Sequence, residues 1–140
     1  MAKHTLYIIT YDRGKYPLSG KTKPYHWSYF IQIQVTNNTN TGIQHQLHGM
    51  PGSFHYDGPE DVDLKKWEVA PKEEVEIGEV DSLKLDKVHE ILKSVSIDTV
   101  ESCGWNCQDW SLDGFEKLQK EGFVYDYLTK DGLRNWLRED

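Results

Sequence analysis

The sequence predicts a single α+β domain, and three observations predict it. Residues 27–35 place Trp27, Tyr29, Ile31, Ile33 and Val35 on one face at a period of two, the pattern of a strand with one face in a core. From Leu83 the period lengthens, and Leu85, Val88, Ile91, Leu92 and Val95 recur at helical spacing. A second helical stretch follows a loop and begins near Cys107, with Cys107, Trp110, Phe115 and Leu118 able to share one broad face. The order is therefore strands first and helices mostly after, about five strands of antiparallel sheet against a cysteine-bearing helix and one or two others. At 140 residues the chain has the length of one domain, 1–140, with sequence enough for a real core.

Taken in order, residues 5–11 read as the first strand, and residues 12–24, rich in Gly, Lys and Pro, as a loop. The loop contains Ser19-Gly20-Lys21-Thr22, which imitates the end of a phosphate-binding loop. It is not one: Lys15 stands where the first Gly is required, and Pro24 falls where a helix should start. His26 opens the strong strand. The polar turn 36–42 returns the chain into residues 43–48, making an antiparallel hairpin. Residues 54–56 suit a short strand, and residues 66–70 and 74–80 two more with their acids outward. Asp81 or Ser82 caps the first helix. Gly122 ends the cysteine helix, residues 123–128 suit a last short strand, and residues 131–138 a final helix holding Leu133, Trp136 and Leu137 against the body.

Charge and composition exclude several roles. A net charge of −7 opposes non-specific binding to nucleic acid. The charge is uneven: Lys3, Arg13, Lys15, Lys21 and Lys23 face only Asp12 in residues 1–25, a basic segment suited either to an anionic substrate or to plain solvation. No run approaches the roughly 18 apolar residues of a membrane span, and the start of the chain lacks a signal-peptide pattern. The expectation is a soluble cytoplasmic protein whose two cysteines, Cys103 and Cys107, are thiols. Asn37-Asn38-Thr39 fits a glycosylation sequon but reads as a polar turn.

Chemistry concentrates at Cys107. A thiol in the first turn of a helix meets unpaired N–H groups and the positive end of the helix dipole, both of which favour a thiolate. A thiol nucleophile also needs an imidazole, and a polar group to orient that imidazole. His26 opens a core strand, and His45 and His48 lie on the strand that returns beside it. The competing reading makes Cys107 a small buried hydrophobe. A zinc site from His45, His48, Cys103 and Cys107 is poorly spaced, since residues 45 and 48 point to opposite faces of a regular strand. No cofactor or metal is expected. A redox pairing of Cys103 with Cys107 is the remaining thiol alternative. The acids of residues 57–63 and 73–81 are a candidate partner surface, or simply a solvated face, and His89, on the charged side of its helix, reads as solvated.

Tyr25-His26-Trp27-Ser28-Tyr29-Phe30, a histidine-bearing return strand and Asn106-Cys107-Gln108-Asp109-Trp110 together resemble the circularly permuted branch of the NlpC-like, papain-fold superfamily. That branch includes the lecithin retinol acyltransferase-like enzymes and the PPPDE peptidases. The Asn-Cys-Gln-Asp-Trp form also resembles a group of small fungal proteins. The resemblance covers about residues 25–118 and implies a thiol hydrolase or acyltransferase acting on an amide or ester carbonyl. It implies Cys107 as nucleophile and His26 as general base, with the third, orienting position falling to His45 or alternatively His48. If the register places Gln44 or Gln46 there instead, an amide does the same work. The backbone N–H of Cys107 would meet the oxyanion, with Asn106 or Gln108 as side-chain support. The charged C-terminal end departs from the acyltransferases, which carry a hydrophobic anchor. A non-catalytic papain-like protein-interaction or toxin-like module is the second reading.

Overall fold

The computed structural model describes residues 2–49, 52–66, 70–97 and 106–138. Its sheet runs β1 (Lys3–Tyr11), β2 (His26–Val35), β3 (Asn40–His48), β4 (His55–Tyr56), β5 (Glu60–Asp63) and β6 (Glu73–Asp81). Three helices follow: α1 (Leu85–Lys93), α2 (Cys107–Lys120) and α3 (Lys130–Trp136). The strand order is β4-β3-β2-β1-β6, with β5 also paired to β3, and each of these pairs is antiparallel. The α+β class and the antiparallel sheet stand as the sequence predicts, with a sixth strand.

The alternation of β1 and β2 divides the core in two. Leu6 and Ile8 join Trp27, Tyr29 and Ile31 on the face that α1 and α2 cover. Ile9, Tyr11 and Phe30 point the other way and meet Val62 and Leu64. On α2, all four predicted core positions, Cys107, Trp110, Phe115 and Leu118, are buried. The helix lies close to the sheet at Gly114, where an added Cβ would come within 2.8 Å of Leu92 Cδ2 and 3.2 Å of the Tyr29 hydroxyl. Tyr29 fixes the same contact by donating its hydroxyl proton to the Ser111 carbonyl.

Several local expectations need correction. The period-two face of β2 does not hold to its end: Ile33 and Val35 are 41% and 56% exposed. A register shift between Gln32 and Gln34 twists the hairpin tip out of the core. A strand that the sequence did not announce lies at Glu60–Asp63, followed by a 3-10 turn at Leu64–Lys66; the strand expected over residues 66–70 falls mostly on 67–69, which lie outside the described residues. Residues 123–128 form no strand beyond a single bridge between Val124 and Gly78. Asp81 caps as predicted, its carboxylate accepting from Leu83 N–H at 2.9 Å, but it opens a 3-10 turn (Ser82–Lys84) ahead of α1. Leu133 and Leu137 are buried as expected, whereas Trp136 is 62% exposed. Gly122, at φ +86°, closes α2.

Candidate functional site

The N-terminus of α2 is set by a capping box. Asn106 is extended (φ −146°, ψ −170°), its Oδ1 accepts from Gln108 N–H at 2.8 Å, and Asp109 Oδ2 accepts from Asn106 N–H at 2.9 Å. Two orphan donors of the first turn are thereby satisfied. Cys107 is the first helical residue. Its thiol is 2% exposed and points to the Tyr25 carbonyl at 3.8 Å, an oxygen that also accepts from Gln108 Nε2 at 3.0 Å. The β2–β3 pairing runs only as far as Ser28↔Gln46, so the helix end seats itself where β2 begins. Burial raises the thiol pKa, opposed by the Trp27 N–H and by the charge of Arg13. At rest Cys107 is a thiol.

His26, between those two backbone contacts, turns its ring to the opposite face of β2. Its ring centroid lies 6.0 Å from that of Tyr11, its partner across the ladder. Arg13 Nη2 is 3.0 Å from Nδ1 and Gln46 Oε1 is 2.7 Å from Nε2. A guanidinium has no acceptor, so Nδ1 carries the lone pair and Nε2–H donates to Gln46. The chain of bonds continues outward: Gln46 Nε2 reaches Glu60 Oε1 and Oε2 at 3.4 and 3.5 Å, and His48 Nε2 stands 2.6 Å from Glu60 Oε1. Burial is the largest cause pushing the His26 pKa down to about 4, with Gln46 acting against it and Arg13 reinforcing it. His26 is therefore a neutral imidazole at pH 7, held in one tautomer.

Of the expected site residues, the structure joins His26 to Gln46, the amide alternative for the orienting position. His48 lies on the same network through Glu60. His45 is elsewhere. It pairs with Tyr29 and shares the helix-covered face, where Nδ1 meets the Tyr56 hydroxyl at 2.7 Å. Tyr56 in turn meets His89 Nδ1 at 2.9 Å, and the His45 and His89 rings stack. His89 is thus a partner in a part-buried cluster and not a merely solvated residue. Among the described residues His45 Nε2 is buried without a hydrogen-bond partner, and burial pushes the His45 pKa down to about 4. His45 and His48 diverge, as the zinc reading required them not to, and Cys103 lies outside the described residues. Among the described residues no set of three or more His, Cys, Asp or Glu side chains converges as a metal site, and no helix is long and apolar enough to cross a membrane.

The thiol and the imidazole flank the same few atoms of β2 from different sides, and neither ring nitrogen bonds the thiol. Asn106 and Gln108 are committed to the cap and to the Tyr25 carbonyl, so their evident work is to fix the helix end. Arg13 escaped the sequence reading as a partner of His26; its membership of the basic segment beside a His-Trp strand start was the available signal. No curated protein and no solved structure matches the chain. A family model described as a family of unknown function, DUF6540, matches residues 6–125, which contain most of β1, the His26 hairpin and the whole cysteine helix, and the chain belongs to that family.

Proposed function

We propose that the protein is a thiol hydrolase or acyltransferase of permuted papain-like architecture, acting on an amide or ester carbonyl with Cys107 as nucleophile, His26 as general base and Gln46 as the group that orients His26. The observation that carries this reading is the tautomer: Nε2–H is tied to an amide oxygen, which leaves the basic lone pair on Nδ1. That division of the two ring nitrogens is what a Cys-His-amide site requires. Cys107 in the first turn supplies the second requirement, a nucleophile whose own N–H has no helical carbonyl to satisfy and can receive an oxyanion.

The steps balance without a cofactor. As the Cys107 sulfur bonds to the carbonyl carbon, its proton passes to Nδ1 and the carbonyl oxygen becomes the oxyanion. Collapse restores the carbonyl, breaks the bond to the leaving group and returns the proton from the imidazolium to that group. Water, or another hydroxyl or amine, then resolves the thioester. Because ring and thiol start on different sides of the β2 backbone, the couple closes only when one of them swings around the strand end.

A non-catalytic interaction module is favoured by one observation, the burial of Cys107 and the upward push on its thiol pKa. Acylation by p-nitrophenyl acetate separates the two readings. The hydrolase reading expects an acetyl group on Cys107, located by peptide mass, in the wild type and a rate at least about tenfold lower in His26→Ala, within the range of general-base contributions. No acetylation of Cys107, or an equal rate in both proteins, leaves the binding module.

A further inference from the structure

Arg13 is an exposed cation whose hydrogen-bond partner is a neutral ring. Among the described residues no carboxylate stands within ion-pair distance of it, although the chain as a whole is acidic. The contact is 3.0 Å, and it closes off the one imidazole nitrogen that carries a lone pair. A guanidinium bonds more strongly to a carboxylate or phosphate, in a bidentate fork, than to a neutral nitrogen acceptor. Arg13 belongs to a loop tethered on itself by the Lys15↔Thr22 bridge and by Lys23 N–H to the Gly14 carbonyl at 2.9 Å. Lys15, Lys21 and Lys23 sit on the same loop, so its field attracts anions.

We infer that Arg13 is the substrate-recognition residue of the Cys107 site and its stopper: it binds an anionic group, a carboxylate, on the acyl substrate, and in doing so leaves His26 Nδ1. The proposal rests on the thiol reading above and names the substrate class for it. With no anion present, the guanidinium caps the base in most molecules, and a neutral reagent is served by His26 only through the uncapped fraction. With a carboxylate present, the guanidinium moves to the stronger acceptor and Nδ1 is freed, so that the ring can swing around the strand end to the thiol.

Two alkylating agents of nearly equal size test this, iodoacetate with a carboxylate and iodoacetamide without one. Rates at Cys107 are read by peptide mass spectrometry and divided by the rates at glutathione. In the wild type the normalised preference for iodoacetate is expected at about tenfold, the scale of one hydrogen bond to an ion. Arg13→Ala should abolish that preference and raise the iodoacetamide rate, and Arg13→Lys should keep part of the preference. In parallel, acetate titration should shift the Nδ1 nitrogen resonance of His26 in the wild type and leave it unmoved in Arg13→Ala. Equal preference in wild type and Arg13→Ala, with labelling that still depends on His26, overturns the role of Arg13 alone. Labelling independent of His26 with both reagents and in both backgrounds overturns the thiol reading, and this proposal with it.

Discussion

The two faces of the sheet bury polar groups in opposite ways. On the helix-covered face, His45, Tyr56 and His89 form a part-buried cluster against Trp110, and among the described residues the Nε1 atoms of Trp27 and Trp110 are buried without partners. On the other face, Arg13, His26, Gln46, Glu60 and His48 form an open chain of bonds that runs from the interior to exposed side chains. Both faces carry a histidine pushed down to about pKa 4 by burial. Of these two rings, only His26 has both nitrogens engaged among the described residues. The comparison separates a histidine that packs from a histidine that is poised: the pKa is the same for both, whereas His45 is fully buried and His26 only partly so.

The largest way to sharpen this contrast is to cut into the helix face. Trp110 is fully buried on α2, and Trp110→Ala should cost about 4 kcal/mol from lost transfer and cavity terms, read as a fall in urea midpoint at unchanged slope. An equal loss from Gln46→Ala would erase the distinction between the faces. Gln46→Ala removes one hydrogen-bonded side chain and should cost about 1–2 kcal/mol of stability, while acylation of Cys107 falls about tenfold because His26 loses the bond that fixes its tautomer.

Acid is the next lever. The unfolded chain binds a proton at each histidine near the usual value of 6.5, whereas His26 and His45 bind theirs only near 4. Stability is therefore full above about pH 6.5 and declines as pH falls toward 4, by at most roughly 3 kcal/mol for each ring. His26 faces Arg13 and His48, which oppose its protonation, and Glu60, which favours it; His45 faces His89. Urea midpoints between pH 4 and 7.5 should flatten partly in His26→Asn and partly in His45→Asn. A wild-type midpoint constant across that range would show that neither ring is buried neutral.

Much of this division was legible in advance, and its limits have physical causes. The period-two run of β2 announced a two-faced strand, and the spacing of Cys107, Trp110, Phe115 and Leu118 announced the covering helix; both patterns follow from local periodicity, which a sequence displays directly. The partner of His26 was not legible, because it depends on hairpin register. Gln46 and His45 are adjacent in sequence and lie on opposite faces, so one residue of slip exchanges them. The shift between Gln32 and Gln34 is the kind of irregularity that no periodicity reveals. Arg13 and His89 were missed for a related reason: each meets its partner through a loop or helix whose placement is set by tertiary packing.

The smallest expected effect concerns the helix start. Asn106→Ala removes the side-chain half of the capping box and should cost about 1 kcal/mol, whereas Asn106→Gly should cost only a few tenths. If Asn106→Ala instead abolishes acylation of Cys107 with little change in stability, Asn106 touches the reacting carbonyl, and the resemblance-based oxyanion role replaces the purely structural one.

The claim that His26 serves Cys107 is tested most directly by the pH dependence of Cys107 alkylation with iodoacetamide, followed at that cysteine by mass spectrometry in the wild type and in His26→Ala. A thiol acting alone reacts in proportion to its thiolate fraction, so its rate rises tenfold per pH unit below its pKa. A thiol assisted by an imidazole adds a term that is level once the imidazole is neutral. The account predicts a level shoulder from about pH 5 to 8 in the wild type, starting above the His26 pKa of about 4, and its disappearance in His26→Ala. The same steep, featureless rise in both proteins would contradict it and make Cys107 a packing residue at the head of α2.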